Sequence, residues 1–330
     1  MGKVTRLINN CCVTGASGFV GRALCLFLRA RSCRVTALLR KQAEGPWDDT
    51  IIAELGRDEL SPPLFSGFDA VFHAAGSAHT FPTGKNAAVL YETVNVRGSV
   101  LLARAASRAG VGSFVYYSSV KAMGDPGEHC VDESWHVPPD DSYGASKREA
   151  EARVLQIGRE SGMRVTVLRP TLVYGPGVKG NLQRMMVAVE KRRFPPLPEV
   201  GNKRSMVHVD DLAETAWLVA TQSRAENQIY IISDGHYYST HEISKWMCEA
   251  FGREIPSWKL PVSLMRAGAV LGDALEQGFS LRLPLNSEVL RRLLGSACYR
   301  SDKIQRELGW QPRRHFKEAL PEMIAASRIL

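Results

Sequence analysis

Residues 13–21 read VTGASGFVG, with Gly15, Gly18 and Gly21 set between a short apolar run and an amphipathic one. A strand that ends in bare backbone and turns straight into a helix leaves the first N–H groups of that helix unpaired. Those groups and the helix dipole favour an anion, and glycine lets a pyrophosphate come close. The spacing is Gly-x-x-Gly-x-x-Gly, one residue longer than the usual dinucleotide fingerprint, but the strand–turn–helix context is the one that fingerprint needs. Gly15, Ser17, Gly18, Phe19, Val20 and Gly21 are therefore expected to hold the phosphates of a dinucleotide.

The first half of the chain agrees with that turn. LINNCCVT (7–14) reads as the strand before it and Gly18 to about Arg31 as the helix after it. RVTALLR (34–40), TIIAEL (50–55), DAVFHAAG (69–76), SFVYYSS (113–119) and RVTVLRP (164–170) read as further strands. Helical spacing covers about 86–109 and 143–162. Such alternation implies a parallel sheet covered on both faces, a Rossmann-type doubly wound α/β fold. With 330 residues, 45% of them hydrophobic, the chain can build one large domain and a smaller lobe.

After Pro170 the pattern changes. Pro and Gly gather in YGPGVKG (174–180) and RRFPPLPEVG (193–201), where neither helix nor strand runs unbroken. SMVHVDDLAETAWLVAT (205–221) returns to a strand-then-helix unit. The expected division is a dinucleotide-binding domain over 1–175, rejoined by 205–232, and a C-terminal substrate lobe from 176–204 and 233–330. The lobe is expected over the carboxyl edge of the sheet, where open α/β sheets bind ligands.

The end of the second strand selects the dinucleotide. A carboxylate there would bind the adenosine ribose hydroxyls and repel a 2′-phosphate, but this chain has Arg40 and Lys41. A cationic pair can hold the extra phosphate, so NADP(H) is favoured, with NAD(H) as the alternative.

Tyr143 and Lys147 in YGASK are four apart at a helix start, so they share one face. A free tyrosine titrates at about 10. A neighbouring ammonium lowers that value, and the phenol can then exchange a proton with a carbinol or carbonyl oxygen. Ser118 and Ser119 end the fifth strand, and a serine hydroxyl there can orient the same oxygen. Ser119, Tyr143 and Lys147 are the expected catalytic set.

In this order the motifs resemble the extended short-chain dehydrogenase/reductase superfamily, in its NAD(P)-dependent epimerase/dehydratase family acting on nucleotide sugars. FHAAG (72–76), VNVRGS (94–99) and LRPTLVYGPG (168–177) are similar to family segments around the cofactor. The resemblance implies cofactor contacts from Glu54, Leu55, Ala74, Ala75, Gly76, Asn95, Ser118, Pro170 and Val173, together with Tyr143 and Lys147. It implies substrate contacts from Ser119, Lys121, Asn181, Arg204 and, by a looser alignment, Arg292. SDKIQRELGWQP (301–312) resembles the family's closing motif. Two positions depart from the pattern: Arg40 replaces the acidic residue, and SSVKAMG lacks the tyrosine usual at 123. SSVKAMG and NKRSMVHVDDL look most like the bacterial branch that reduces 4-keto groups of UDP-2-acetamido-2,6-dideoxyhexoses for surface polysaccharide. The runner-up is a UDP-sugar 4-epimerase using the same Ser, Tyr and Lys. A steroid-type hydroxyl dehydrogenase and a non-catalytic dinucleotide-binding regulator stand further off. Family resemblance also implies a homodimer through two helices, including the one that bears Tyr143.

Several residues need no functional reading. His73 and Asn95 are expected to brace the sheet, and Met185 and Met186 to pack. Trp310 reads as a core anchor for the lobe, and His208 with Asp210 and Asp211 as a buried histidine beside a charged helix start. Net charge is +8 and the pI near 9.2, but the cations look dispersed, which suits a phosphorylated small molecule better than nucleic acid. The apolar stretch 262–275 is broken by Arg266, Gly268 and Asp273, so no span and no membrane partner are expected. The N-terminus lacks a secretory signal, which suggests a cytoplasmic protein. Seven cysteines form no metal-binding spacing and read as scattered reduced thiols, with no metal expected.

Overall fold

The computed structural model describes residues 7–77, 85–254, 260–279 and 286–328. The chain runs β1 (Asn10–Thr14), α1 (Phe19–Arg29), β2 (Arg34–Leu39), β3 (Asp49–Ile52) and β4 (Ala70–His73). Next come α2 (Lys85–Tyr91), α3 (Gly98–Arg108), β5 (Ser113–Tyr117), β6 (Cys130–Val131), α4 (Ser142–Ser161) and β7 (Arg164–Pro170). These are followed by β8 (Leu172–Tyr174), α5 (Asn181–Glu190), β9 (Arg204–His208), α6 (Val209–Thr221), β10 (Ile229–Ile232) and β11 (Tyr237–Tyr238). The remainder is α7 (Thr240–Ala250), α8 (Val262–Phe279), α9 (Ser287–Leu294), β12 (Cys298–Tyr299), α10 (Asp302–Leu308) and α11 (Phe316–Ser327).

Seven strands form one sheet in the order β10-β7-β5-β4-β1-β2-β3, every pair parallel. Alternate residues of β1 feed two cores. Cys11 and Val13 pack with Leu24 and Leu28 of α1 and Leu212 and Ala216 of α6, whereas Cys12 packs with Leu102 of α3 and Val154 of α4. Each large apolar side chain buried this way contributes about 1.5–3 kcal/mol. The strand order reverses between β1 and β4, and the crevice beyond their carboxyl ends is where such sheets take ligands.

The Rossmann-type reading of the first half is met, with shorter strands. β1 starts at Asn10, because Leu7 is solvent-exposed and residues 7–9 lie outside the sheet. β3 ends at Ile52 and β4 at His73. The helix expected over 86–109 is interrupted by a π-helical turn, Glu92–Arg97, that buries Asn95 and Val96. Asp141 caps α4 by accepting the Gly144 N–H at 2.6 Å, and Gly162, in the left-handed region, ends it.

The strand-then-helix unit at 205–221 is divided between two sheets. β9 pairs with β8 and β11 in a small three-stranded sheet, while α6 and β10 lie on the large one. Met185 and Met186 pack under that small sheet with Met206, Tyr238 and Phe316. Trp310 departs from its expected place: it joins the core between α1, α6 and the large sheet. The expectation of seven reduced thiols also fails. Cys130 and Cys298 form a disulfide where β6 and β12 pair in parallel, 168 residues apart in sequence. Cys11, Cys12, Cys25, Cys33 and Cys248 are free.

Candidate active site

Seven parallel strands present their carboxyl ends at one edge, so residues just beyond them are neighbours. Gly15 follows β1, Arg40 and Lys41 follow β2, and Glu54 and Leu55 lie beyond β3. Ala74, Ala75 and Gly76 follow β4, Ser118 and Ser119 follow β5, Pro170 closes β7, and Val173 lies in β8. Not all of these face a ligand. Leu55 is buried in the core against Gly98, and Glu54 is ion-paired to Arg57 at 3.1 Å. Arg40 and Lys41 are exposed.

At Gly15 the backbone has φ +69°, and a Cβ there would stand 2.7 Å from the Ala75 nitrogen and 2.8 Å from the Ala74 carbonyl. Only glycine fits so close an approach. The first helical bond of α1 runs from Arg22 N–H to Gly18 O at 2.9 Å. The N–H groups of Phe19, Val20 and Gly21 precede it and have no intrahelical acceptor, and no acidic side chain occupies that turn. The turn therefore fits a dinucleotide's pyrophosphate. At the end of β5 the Ser118 hydroxyl is buried without a hydrogen-bond partner among the described residues.

A chain of hydrogen bonds runs from the glycine turn to Tyr143. Ser99 Oγ donates to the Asn95 carbonyl at 2.6 Å, so it accepts from His73 Nε2 at 2.8 Å. His73 Nδ1 is then the acceptor for the Thr14 hydroxyl at 2.7 Å, and Thr14 Oγ1 accepts the Ala75 N–H at 3.1 Å. Burial, reinforced by the Lys147 ammonium, depresses the His73 pKa to about 3, so the ring is neutral. Beyond Ser99, Asn95 donates to Ser146 Oγ at 3.0 Å, which donates to the Tyr143 carbonyl at 2.8 Å. His73 and Asn95 brace the sheet, as expected, and Asn95 also ties it to α4.

Lys147 is buried, its Nζ donating to the Tyr117 carbonyl at 2.8 Å and lying 4.8 Å from the Tyr116 ring centroid. Burial lowers its pKa to about 8, opposed by Glu151. Asn95 and Lys147 crowd the same spot: a Cβ on Gly76 would stand 3.1 Å from Lys147 Nζ and 3.3 Å from Asn95 Oδ1. Tyr143 is half-buried and meets the Tyr91 ring edge-on, centroids 5.8 Å apart. Here the sequence expectation is reversed. Burial raises the phenol to about 12, Ser119 beside it pulls the other way, and Lys147 is not among the groups that act on it. The ammonium is turned to the Tyr117 carbonyl, and desolvation wins. Ser119 Oγ also accepts the Lys121 N–H at 3.2 Å, and the Lys121 side chain is exposed.

The expected substrate residues divide. Arg204 Nη1 donates to the carbonyls of Arg292 at 2.7 Å and Gly295 at 3.1 Å, so Arg204 and Arg292 meet. Arg204 is half-buried with no carboxylate partner among the described residues, whereas the Arg292 guanidinium is engaged by Glu288. Asn181 is exposed at the first turn of α5 and makes no hydrogen bond to either. His208 is buried, accepting the Asp210 N–H at 3.2 Å and bonded to Glu322 at 2.9 Å. Asp211 ties the chain at Arg313 and Arg314 to α6. A cavity of about 540 Å³ between α1 and α6, lined by Phe27, Asp210 and Arg314, lies away from the strand ends and is no part of this site.

Reading the sequence gives no role to Thr14, Ser99 and Ser146, although each lies inside a quoted motif, nor to Tyr91, which lies in none. It also misses the buried pair Glu151–Arg169, although Glu151 sits four residues after Lys147 on the same helical face, a signal that was available.

The pattern of the NAD dependent epimerase/dehydratase family matches residues 11–233. A UDP-glucose 4-epimerase of Vibrio cholerae is 31% identical over 325 residues, 95% of this chain and 94% of its own. A 4-hydroxy-2-methyl-3-oxo-4-farnesyl-3,4-dihydroquinoline-1-oxide ketoreductase of Stigmatella aurantiaca is 27% identical over 311 residues, 91% of each chain. Among solved structures, the UDP-glucose 4-epimerase of Thermotoga maritima with UDP-glucose superposes with a TM-score of 0.77 at 21% identity. That superposition covers 97% of this chain and 99% of the other, and speaks for the fold.

Proposed function

The chain belongs to the NAD dependent epimerase/dehydratase family, and from that premise we propose that it acts at C4 of a nucleotide-diphosphate sugar, reducing a UDP-4-keto-hexose of the 2-acetamido-2,6-dideoxy type. The observation that carries this reading is the protonated, half-buried phenol of Tyr143, at the same strand edge as Ser119, Lys147 and the glycine turn. When bound, the dinucleotide supplies the hydride that the carbon receives.

Everything else falls to side chains. Tyr143 gives its proton to the sugar oxygen as that oxygen gains charge, a general-acid contribution of about 10²–10⁴ in rate. Ser119 hydrogen-bonds the same oxygen and fixes its direction. Lys147, held by Tyr117, carries the nicotinamide ribose. Arg204, whose guanidinium lacks a carboxylate, takes the diphosphate with Asn181 and Arg292, so binding energy remote from C4 positions the sugar. Arg40 and Lys41, exposed at the end of β2, hold a 2′-phosphate, which makes NADP(H) the favoured cofactor. This reading assigns 1–175 and 205–232 to the cofactor and 176–204 and 233–330 to the substrate, in a cytoplasmic homodimer serving surface polysaccharide synthesis.

A second reading, a UDP-sugar 4-epimerase, is favoured by the relative from Vibrio cholerae. Tyr143 would then first accept the C4 hydroxyl proton and later return it. One experiment separates the two: UDP-, dTDP- and GDP-sugars and their 4-keto forms are offered with NADPH and with NAD⁺. Stoichiometric NADPH consumption with a UDP-4-keto sugar supports reduction. Redox-neutral isomer formation by protein that keeps its cofactor through gel filtration replaces it with epimerisation.

A further inference from the structure

Two stretches far apart in sequence meet beside the candidate active site. Residues 120–141 run from Ser119 to the cap of α4, so one end follows the serine and the other leads into Tyr143. Residues 291–300 close α9 and contain β12. Arg291 pairs with Asp125 at 3.5 Å, Ser296 Oγ donates to Glu128 at 2.8 Å, and Arg300 pairs with Asp132 at 2.6 Å. Behind Ser119, Val120, Met123 and Val131 pack with Tyr299 in one apolar cluster. The Cys130–Cys298 bond lies among these contacts, where β6 meets β12.

The second stretch also supports Arg204. Its guanidinium donates to the Arg292 and Gly295 carbonyls. The backbone around it is laced to the same stretch, Ser205 N–H donating to the Ala297 carbonyl at 3.0 Å and Ala297 N–H to the Lys203 carbonyl at 2.7 Å. One covalent bond therefore ties the support of Arg204 to the loop between Ser119 and Tyr143.

We propose that Cys130 and Cys298 are a redox modification site whose state sets how firmly the substrate half of the active site is held. Cys130 is half-buried and Cys298 fully buried, so a thiolate reaches the pair from the Cys130 side. In a reducing compartment, the setting of the cytoplasmic reading, a disulfide is usually transient and redox-sensing. One thiolate of a dithiol reductant attacks the Cys130 sulfur, the bond to Cys298 breaks, and Cys298 leaves as a thiolate that takes up a proton. The second thiol of the reductant then displaces Cys130, which is protonated in turn. Two electrons and two protons pass to the protein, and the reductant becomes a disulfide. The ion pairs of Arg291 and Arg300 survive the cut and keep the sulfurs close, so glutathione disulfide reverses it. The cysteines lie 168 residues apart, so the cross-link removes much chain freedom, and cutting it loosens the acceptors of Arg204. The glycine turn between β1 and α1 takes part in none of these contacts.

The test compares the full chain oxidised with glutathione disulfide and reduced with dithiothreitol; its ligand, UDP, follows from the function proposed above. Alkylation in denaturant and mass spectrometry should count five thiols in the oxidised chain and seven in the reduced one. Hydrogen exchange over 119–141 and 291–300 should be about 5- to 150-fold faster in the reduced chain, the ordinary range of coupling between sites, and unchanged over 13–22. UDP should bind the reduced chain more weakly by a similar factor, with NADPH affinity unchanged. Cys130→Ser should match the reduced chain and ignore both reagents, whereas Cys248→Ser should respond as the wild type does. Seven thiols under oxidising conditions, or equal exchange in the two states, overturns the proposal. So does a Cys130→Ser chain that still responds to the reagents. UDP binding to neither state, with exchange that differs, leaves the redox site standing and counts against the nucleotide-sugar reading instead.

Discussion

Glu151 and Arg169 form a buried two-bond ion pair, Nε to Oε1 at 2.9 Å and Nη2 to Oε2 at 2.6 Å, one helical turn beyond Lys147. The pair joins α4 to the end of β7 and holds the helix face that carries Lys147 against the sheet. Its carboxylate is also the group that keeps the Lys147 pKa from falling further.

Glu151→Gln should therefore do two things. Leaving the Arg169 guanidinium buried without its carboxylate should destabilise the fold by about 3–5 kcal/mol, measured by urea unfolding. Losing the negative charge should lower the Lys147 pKa, which burial already brings to about 8, and shift any limb of the pH–rate profile that follows Lys147 to lower pH. Loss of stability with an unmoved limb would leave the pair a purely structural role.

Arg40→Glu should reverse cofactor choice. On the proposed reading, in which Arg40 holds a 2′-phosphate, losing that contact and adding a like charge should lower kcat/KM for NADPH by about 10- to 100-fold while leaving NADH unaffected or improved. Parallel titrations with the two reduced dinucleotides decide it, and equal losses with both would dissociate Arg40 from the phosphate.

His73 links stability to pH. Its folded pKa, about 3, lies below its ordinary 6.5, so between those values the unfolded chain binds the extra proton. The stabilisation is intact above 6.5 and is lost as the pH falls toward 3, at up to about 1.4 kcal/mol per pH unit. Unfolding free energies measured from pH 7 to 4 should fall less steeply for His73→Gln than for the wild type.

Much of this was legible from residues alone. The strands of the large sheet are near-continuous apolar runs because both faces are buried, and the glycine turn, Ser119, Tyr143 and Lys147 announce themselves by order and spacing. What was not legible depends on three-dimensional pairing. Periodicity cannot reveal the π-helical turn that carries Asn95, since one extra residue per turn merely blurs the pattern. No spacing rule connects Cys130 to Cys298, which meet only because β6 and β12 pair. The rise of the Tyr143 pKa follows from burial, a property of the folded site that the Tyr–Lys spacing could not supply.

Turnover by Tyr143→Phe weighs the account most directly. NADPH consumption with a UDP-4-keto sugar, or isomer formation if the protein is an epimerase, should fall about 10²–10⁴-fold, with dinucleotide affinity and thermal unfolding unchanged. A phenylalanine variant that turns over the same nucleotide sugar at the wild-type rate would contradict it, because no proton would then be passing through that phenol.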